Sequence, residues 1–230
     1  MLRMPMHTRH LLPVEMIILM QCSLDGYSSQ ERSVLPVQDS GMGSIMKNIN
    51  FLMQYFKTPR RIGAVAPSSV RLAEKMVSDI DFENAGCIVE YGPGTGVFTD
   101  KLLEKRKPDT TLFLLEANKE FCTRLREKYA DTHNIIIIYG SAEHVDSYLK
   151  KHRISRVDYV VSGLPFASLP KNVSETILHK TRNIIGKEGL FITFQYTLLK
   201  KAFLAGYFSN IEQERVLRNI PPAYVLKCWI

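Results

Sequence analysis

Residues 88–98 read Ile88-Val89-Glu90-Tyr91-Gly92-Pro93-Gly94-Thr95-Gly96-Val97-Phe98 and decide the fold of this chain. A short apolar run ends in an acidic residue, and three glycines at alternate positions then open a predicted helix. Because glycine has no Cβ, a ligand can lie directly against the backbone of such a turn. The start of the helix adds unpaired N–H groups and a partial positive charge. Nucleotide cofactors bind in this kind of crevice, outside the carboxyl ends of parallel strands.

The spacing of the glycines excludes two common nucleotide sites. A dinucleotide fingerprint, G-x-G-x-x-G, would need its third glycine where Val97 stands, and the chain has no G-x-x-x-x-G-K-[ST] phosphate loop. Roughly 20 residues further on, a second apolar run ends in Glu116, and a carboxylate there can accept both hydroxyls of an unphosphorylated ribose. A third apolar run, residues 134–140, leads to Ser141, Ala142 and Glu143.

Strand and helix patterns alternate along the chain, as a doubly wound α/β fold requires. The patterns predict strands at residues 87–92, 111–116, 134–140, 157–162 and 189–196, and extended stretches at 211–218 and 223–230. They predict helices at residues 71–78, 95–105, 119–129, 142–152, 172–185 and 198–205. Ser68 or Ser69 is the expected N-cap of the first of these helices.

This succession resembles the class I S-adenosylmethionine-dependent methyltransferases. The resemblance implies a Rossmann-like, seven-stranded sheet in the order 3-2-1-4-5-7-6, with the seventh strand antiparallel, in a three-layer αβα fold. It also implies S-adenosylmethionine as cofactor, with its ammonium near Glu90, its ribose on Glu116, and its adenine near Ser141, where the family commonly has Asp. The expected cofactor-binding residues are Pro67, Ser68, Glu90, Tyr91, Gly92, Gly94, Gly96, Glu116, Ala117, Ser141, Ala142, Glu143 and Ser162.

Composition is that of a soluble enzyme domain. The chain has 230 residues, of which 45% are hydrophobic and 23% charged, so it can bury a full core. Its four cysteines are scattered, without a C-x-x-C pair, which predicts neither a metal site nor a disulfide framework and favours a reduced, cytoplasmic setting. The net charge of +7 suits an anionic partner, either nucleic acid or a membrane surface.

The N-terminal region differs from the rest of the chain. Residues 1–45 lack sustained periodicity and are predicted to be disordered or a start-site artefact, and the methyltransferase domain is predicted at residues 46–230. The apolar run at residues 11–20 is interrupted by Pro13 and Glu15 and is too short to span a bilayer.

An amphipathic helix is predicted at the start of this domain. Ile49, Leu52, Met53 and Phe56 have the i, i+3, i+4, i+7 spacing of one helical face. Such a helix can bury its apolar face in a membrane interface while basic residues meet anionic head groups. The alternative is that the same face packs on the enzyme's own core. The residues predicted to bind the membrane are Phe51, Lys57, Arg60 and Arg61.

A narrower resemblance covers about four fifths of the chain, from Met46 to Ile230, and is to the soluble-type bacterial phospholipid N-methyltransferases. The turn at residues 195–197 departs from that family's pattern, which has one more residue and ends in Tyr. The stretches that carry the resemblance are Gly63-Ala64-Val65-Ala66-Pro67-Ser68-Ser69, residues 92–99, Glu116, Ser162-Gly163-Leu164-Pro165, Gln195-Tyr196-Thr197 and Asn219-Ile220-Pro221-Pro222-Ala223.

The narrower resemblance implies stepwise N-methylation of phosphatidylethanolamine by a cytoplasmic, peripherally membrane-associated enzyme. An alkylammonium near pKa 10 is neutral in about one molecule in a thousand at pH 7, equivalent to roughly 4 kcal/mol, so a base or a desolvating pocket must help remove its proton. Candidate bases near the predicted strand ends are Tyr91, Glu143, His144 and Tyr196. Tyr196 is preferred, and the catalytic candidates are Tyr196, Gly163 and Pro165.

Two other functions stay open. A ribosomal-RNA adenine N6-methyltransferase has a similar glycine loop but places Asn-[LIP]-P-[YF] after its fourth strand, where this chain has Gly163-Leu164-Pro165-Phe166. Phe166 can stack on a base, but Gly163 offers no side chain to accept a hydrogen bond. The second alternative is a module that binds S-adenosylmethionine without catalysis, because intact cofactor residues do not establish turnover.

Overall fold

The computed structural model describes residues 67–186, 188–196, 198, 201–217 and 222–230. The predictions for the N-terminal segment, for the domain boundary and for the amphipathic helix with Phe51, Lys57, Arg60 and Arg61 lie outside the described residues.

The centre of the fold is a seven-stranded sheet in the order β3-β2-β1-β4-β5-β7-β6. This order confirms the predicted topology and the Rossmann-like fold class. The strands are β1 Cys87–Tyr91, β2 Thr111–Glu116, β3 Ile135–Tyr139, β4 Tyr159–Ser162, β5 Leu190–Gln195, β6 Asn210–Val216 and β7 Ala223–Trp229.

Strand directions place one set of ends at a common edge. Strands β1 to β5 run parallel to one another, so their carboxyl ends meet there. Strand β7 is antiparallel to β5 and to β6, as predicted. Glu90, Glu116 and Gln195 lie at or next to the ends of β1, β2 and β5, and therefore at the edge where ligands bind in open α/β sheets.

Helices cover both faces of the sheet, which confirms the three-layer arrangement. One core contains residues of α1 and α2, such as Leu72, Met76 and Leu102. The other contains residues of α4, α5 and α6, such as Leu149, Ile177 and Leu204. The helices are α1 Pro67–Val77, α2 Val97–Lys105, α3 Lys119–Lys128, a 3₁₀ turn Ala142–His144, α4 Val145–Lys151, α5 Lys171–Ile185 and α6 Lys201–Ala205. Among the described residues, no helix is long and apolar enough to cross a membrane.

Two predicted helix starts were wrong, and one predicted helix is interrupted. Helix α1 begins at Pro67, so Ser68 and Ser69 lie within its first turn instead of capping it; proline is favoured at the first helical position because its missing N–H would be unpaired there. Helix α2 begins at Val97 because Gly96 has a left-handed conformation. The predicted helix at residues 142–152 is divided at His144, whose backbone is not helical.

Candidate active site

The backbone of the glycine loop after β1 is held in left-handed conformations. Gly92, Gly94 and Gly96 have φ angles of +64°, +56° and +85°, a region that residues with a Cβ adopt at a cost of about 1–2 kcal/mol. Gly92 N donates to the Leu115 carbonyl oxygen at 2.9 Å, and Gly96 N donates to that of Pro93 at 2.8 Å. The sequence of the loop therefore fixes its shape.

The three glycines differ in what surrounds them. A Cβ on Gly94 would meet no atom of the described residues within 4 Å, whereas one on Gly92 would lie 2.9 Å from the Leu164 side chain and one on Gly96 would collide with the Tyr129 hydroxyl. Glycine at positions 92 and 96 thus leaves space for other side chains of the protein. Gly94 faces open space, where a ligand can lie against the backbone.

Tyr129 holds the far side of this loop. Its hydroxyl donates to Asp100 Oδ1 at 2.8 Å and lies 3.2 Å from the Gly96 carbonyl oxygen. Asp100 also forms an ion pair with Lys128 at 2.7 Å. These contacts join the end of α3 to the start of α2 and brace the glycine loop.

Glu90 is a fully buried carboxyl group with one free oxygen. Its Oε2 accepts a hydrogen bond from the Thr99 hydroxyl at 2.7 Å, and its Oε1 has no partner among the described residues. Burial raises the pKa of Glu90 to about 8, the Thr99 hydrogen bond opposes the rise, and the nearby carboxylates of Glu116 and Asp100 add to it. A cation placed beside Oε1 would supply the missing partner.

Glu116 connects the end of β2 to the glycine loop. Its Oε2 accepts from Gly94 N at 3.0 Å, and its Oε1 accepts from Asn118 N at 2.8 Å. Burial raises the pKa of this carboxyl group, and the backbone donors of Asn118, Gly94 and Ala117 oppose the rise. Ala117 is exposed at the rim. The Glu116 carboxylate therefore lies next to the glycine loop, and its contact with the ribose stays a prediction.

The residues after β3 form the outer side of the crevice. Ser141 caps the 3₁₀ turn, since its hydroxyl accepts from Glu143 N at 3.2 Å and donates to the Glu143 carboxylate at 3.0 Å. Gly140 N donates to the Glu116 carbonyl oxygen at 2.9 Å, which ties this turn to β2. The Ala142 side chain is part of the buried core.

The turn after β4 packs directly against the glycine loop. Gly163 N donates to the Tyr91 carbonyl oxygen at 2.8 Å, and a Cβ on Gly163 would lie only 2.8 Å from the Gly92 carbonyl oxygen. The buried Ser162 hydroxyl accepts from Leu164 N at 3.2 Å. Pro165 is partly buried in the same turn. Position 163 has no room for a side chain unless the glycine loop moves.

Phe166, at the end of this turn, belongs to the core. Its side chain is 3% exposed, and its ring meets the Phe191 ring edge-to-face with centroids 5.9 Å apart. It is therefore unavailable to stack on a base, contrary to the sequence-based interpretation.

Tyr91 is also withdrawn from the site. Its side chain is fully buried, and its hydroxyl lies 3.2 Å from the Thr181 hydroxyl. Because Thr181 donates to the Ile177 carbonyl oxygen, the Tyr91 hydroxyl is the donor. Burial also raises the pKa of the Tyr91 hydroxyl above its ordinary value. Tyr91 is therefore no candidate for a base, and its backbone alone borders the crevice.

The end of β5 carries two polar side chains. Gln195 is 5% exposed, and neither its amide oxygen nor its amide nitrogen has a hydrogen-bond partner among the described residues. The Tyr196 ring packs edge-to-face on the Phe194 ring at 5.5 Å and is partly buried against the core below α1 and α2. The catalytic role of Tyr196 stays a prediction.

Sequence reasoning assigned no role to Thr99, Asn118, Tyr129 or Gln195. Thr99 and Gln195 lie within the stretches that carried the resemblance, but pattern alone does not show what they contact. Tyr129 had no sequence signal, because its role comes from the packing of α3 on α2. Within the described ranges, no group of three His, Cys, Asp or Glu residues can hold a metal ion.

Comparison with known proteins shows that this chain is similar to methyltransferases. The family described as Ribosomal RNA adenine dimethylase matches residues 68–215. An ornithine lipid N-methyltransferase from Singulisphaera acidiphila is 32% identical over 180 residues, which cover 77% of this chain and 93% of that protein.

Two further matches concern narrower similarities. Ribosomal RNA small subunit methyltransferase A from Nostoc punctiforme is 25% identical over 130 residues, and the match spans 56% of this chain and 42% of that protein. The structure of 1,6-didemethyltoxoflavin-N1-methyltransferase from Burkholderia thailandensis, which contains S-adenosylhomocysteine, superposes with a TM-score of 0.60 at 13% identity, covering 86% of this chain and 92% of that one. At this identity the superposition supports the fold alone.

Proposed function

This chain belongs to the ribosomal RNA adenine dimethylase family of class I S-adenosylmethionine-dependent methyltransferases, and we propose that it methylates the aliphatic amine of a membrane lipid. The observation that carries the proposal is the turn after β4, where Gly163 has no room for a side chain and Phe166 is buried.

S-adenosylmethionine is the cofactor, and the described residues fit it. The free Glu90 Oε1 suits the ammonium group, the space beside Gly94 suits the methionyl carboxylate, and the Glu116 carboxylate suits the ribose diol. When bound, the cofactor supplies an electrophilic methyl group on a sulfonium sulfur. The protein's contribution is to hold the acceptor nitrogen in a near-attack position.

The turn after β4 favours an aliphatic amine over adenine. The exocyclic amine of adenine has its lone pair conjugated into the ring, so a site for it needs hydrogen-bond acceptors and a stacking surface. Gly163 provides no acceptor side chain, and the Phe166 ring faces Phe191 in the core. An aliphatic amine carries a localised lone pair, so it needs neither a planar stacking surface nor an acceptor side chain at position 163.

The similarity to known proteins supports the same choice. The match to the ornithine lipid N-methyltransferase extends over 93% of that protein, whereas the match to the ribosomal RNA methyltransferase from Nostoc punctiforme covers 42%. Both ornithine lipids and phosphatidylethanolamine present a primary amine, and the proposal covers this shared group.

The amine must be neutral before it attacks. Loss of a proton from an alkylammonium at pH 7 costs roughly 4 kcal/mol, and a desolvating pocket lowers this cost by disfavouring the charged form. Tyr196, which directly follows β5, remains the proposed base. Gly163 and Pro165, in the turn after β4, remain the other proposed catalytic residues.

The deciding experiment partitions a radioactive methyl group between two substrates. The protein is incubated with S-adenosylmethionine labelled in its methyl group and either vesicles containing ornithine lipid or phosphatidylethanolamine, or ribosomal RNA. We expect label in the chloroform phase. Label in RNA alone would establish the adenine alternative, and cofactor binding without label in either substrate would establish a binding module.

Membrane association is the second part of the proposal. Replacing Lys57, Arg60 and Arg61 by Ala should weaken sedimentation with anionic vesicles, most strongly at low salt, because each basic residue near such a surface contributes about 1 kcal/mol. The matched control replaces the exposed Lys119, Lys150 and Lys151 and removes the same charge elsewhere. Equal sedimentation of the two triple variants would favour the alternative, in which the predicted amphipathic helix packs on the protein's own core.

A further inference from the structure

Gln195 is a buried amide whose hydrogen-bonding capacity is unused within the described chain. Its side chain is 5% exposed, and both Oε1 and Nε2 lack partners there. Buried polar side chains in native proteins are nearly always hydrogen-bonded, because an unmade bond in the interior is costly. An unsatisfied amide of this kind indicates that a bound ligand completes it.

The position of Gln195 identifies which ligand that is. Ser162, the last residue of β4, pairs with Thr193, so Gln195 lies two residues, about 7 Å, beyond the end of β4. It is the last residue of β5 and lies opposite Tyr224 of β7. This places the amide at the carboxyl edge of the sheet, next to the turn containing Gly163.

The sheet face of Gln195 carries a second unused polar group. Side chains alternate along a strand, so Gln195 lies on the face of Phe191, which packs in the same core as Ile177 of α5. The Ser174 hydroxyl, on the buried side of α5, likewise has no partner among the described residues. Two unsatisfied polar side chains therefore lie between α5 and the sheet.

We infer, on the basis of the proposed function, that Gln195 binds the amine of the lipid substrate. Gln195 Oε1 accepts a hydrogen bond from an N–H of the neutral amine, and Nε2 donates to an oxygen of the lipid head group. Gly163, in the turn after β4, has no side chain to accept a hydrogen bond. Gln195, at the end of the neighbouring strand β5, thus supplies the acceptor, at a site that accommodates a flexible head group instead of a planar base.

This contact has a consequence for successive methylations. In each transfer the nitrogen lone pair forms the new N–C bond while the S–C bond breaks and leaves its electron pair on sulfur, the nitrogen having first lost a proton to solvent or the base. A neutral primary amine has two N–H groups, a secondary amine has one, and a tertiary amine has none. Gln195 Oε1 can therefore orient the first two substrates and not the third.

The test compares Gln195→Met with the wild type on a lipid amine in its unmethylated, monomethyl and dimethyl forms. We expect kcat/KM for the unmethylated form to fall about tenfold or more, which corresponds to about 1.4 kcal/mol, and the loss to diminish to none for the dimethyl form. The midpoint of thermal unfolding should stay the same or rise, because the variant removes an unsatisfied buried amide. Gln213→Met, at an exposed position of β6, is the matched control and should change neither quantity.

Each outcome separates this inference from the proposed function. A wild-type protein that methylates no lipid amine overturns the proposed function itself. An active wild type with equal losses for all three substrate forms, or with no loss, overturns the role of Gln195 alone. Gln195→Leu is measured alongside, and if neither variant folds, the amide has a structural partner and the inference is wrong.

Discussion

The two halves of the carboxyl edge are built in different ways. On the side of β1, β2 and β3, each functional carboxylate accepts hydrogen bonds within the protein, Glu116 from Gly94 N and Asn118 N and Glu90 from the Thr99 hydroxyl. On the side of β4 and β5, Gly163 presents bare backbone and Gln195 an unsatisfied amide. The half proposed to bind the cofactor is thus largely preformed apart from Glu90 Oε1, whereas the half proposed to bind the substrate offers hydrogen-bonding groups that no described residue uses.

The largest expected effect is on cofactor affinity, from a substitution at Gly94 in the centre of the preformed half. Gly94→Val should abolish binding of S-adenosylmethionine, with an affinity loss of at least about 100-fold, because the new side chain enters the ligand's space. The measurement is isothermal titration calorimetry.

Gly186→Val is the control for that substitution. Gly186 also has a positive φ, +60°, and a Cβ there would likewise meet no atom within 4 Å, but it follows α5, away from the loop. It should show the cost of backbone strain, about 1–3 kcal/mol for a residue with a Cβ at φ +60° and ψ −160°, with unchanged cofactor affinity. Equal affinity losses in both variants would mean that Gly94 serves folding and not the ligand.

A smaller effect is expected at the link between β2 and the loop. Glu116→Gln should weaken cofactor binding by about 10- to 100-fold, because charge-assisted hydrogen bonds contribute about 1.5–3 kcal/mol. Glu104→Gln, which removes an exposed carboxylate paired with Lys101, should bind the cofactor normally. An unchanged affinity in Glu116→Gln would place the ribose elsewhere.

The free oxygen of Glu90 predicts a pH dependence of stability in the ligand-free protein. Since its folded pKa is about 8 against an ordinary 4.5, the folded state holds a proton that the unfolded state has lost between these values. The free energy of unfolding should therefore fall as pH rises through this window, by up to about 1.4 kcal/mol per pH unit. Urea unfolding should give a flatter profile for Glu90→Gln, and parallel profiles would refute the raised pKa.

The smallest effect on activity is expected at Phe166. Phe166→Leu should cost about 1–2 kcal/mol of stability, because the ring is packed against Phe191 in the core, while kcat/KM per folded protein changes little. A large loss of activity at unchanged stability would show that the ring contacts the substrate, and would favour the adenine alternative.

The features of the fold and of the candidate site differ in how far they could be predicted from the sequence. The glycine loop and the positions of Glu90 and Glu116 were predictable because they follow from local spacing and from the periodicity of strands and helices, and the sheet order followed from the family resemblance. The burial of Tyr91 and Phe166 was not, because both residues stand at strand ends or turns, where the direction of a side chain depends on what α5 and β5 pack against. The lack of a partner for the Gln195 amide among the described residues likewise depends on three-dimensional packing, which local spacing does not reveal.

The close approach of Gly163 to the Gly92 carbonyl limits how such an enzyme could evolve towards a different acceptor. A single exchange of Gly163 for Asn would introduce the amide used for adenine, but its Cβ would press on a carbonyl 2.8 Å away in the loop proposed to bind the cofactor. The new specificity would thus arrive together with damage to cofactor binding. A viable mutational path between the two activities must therefore relax the glycine loop first, or change both positions together.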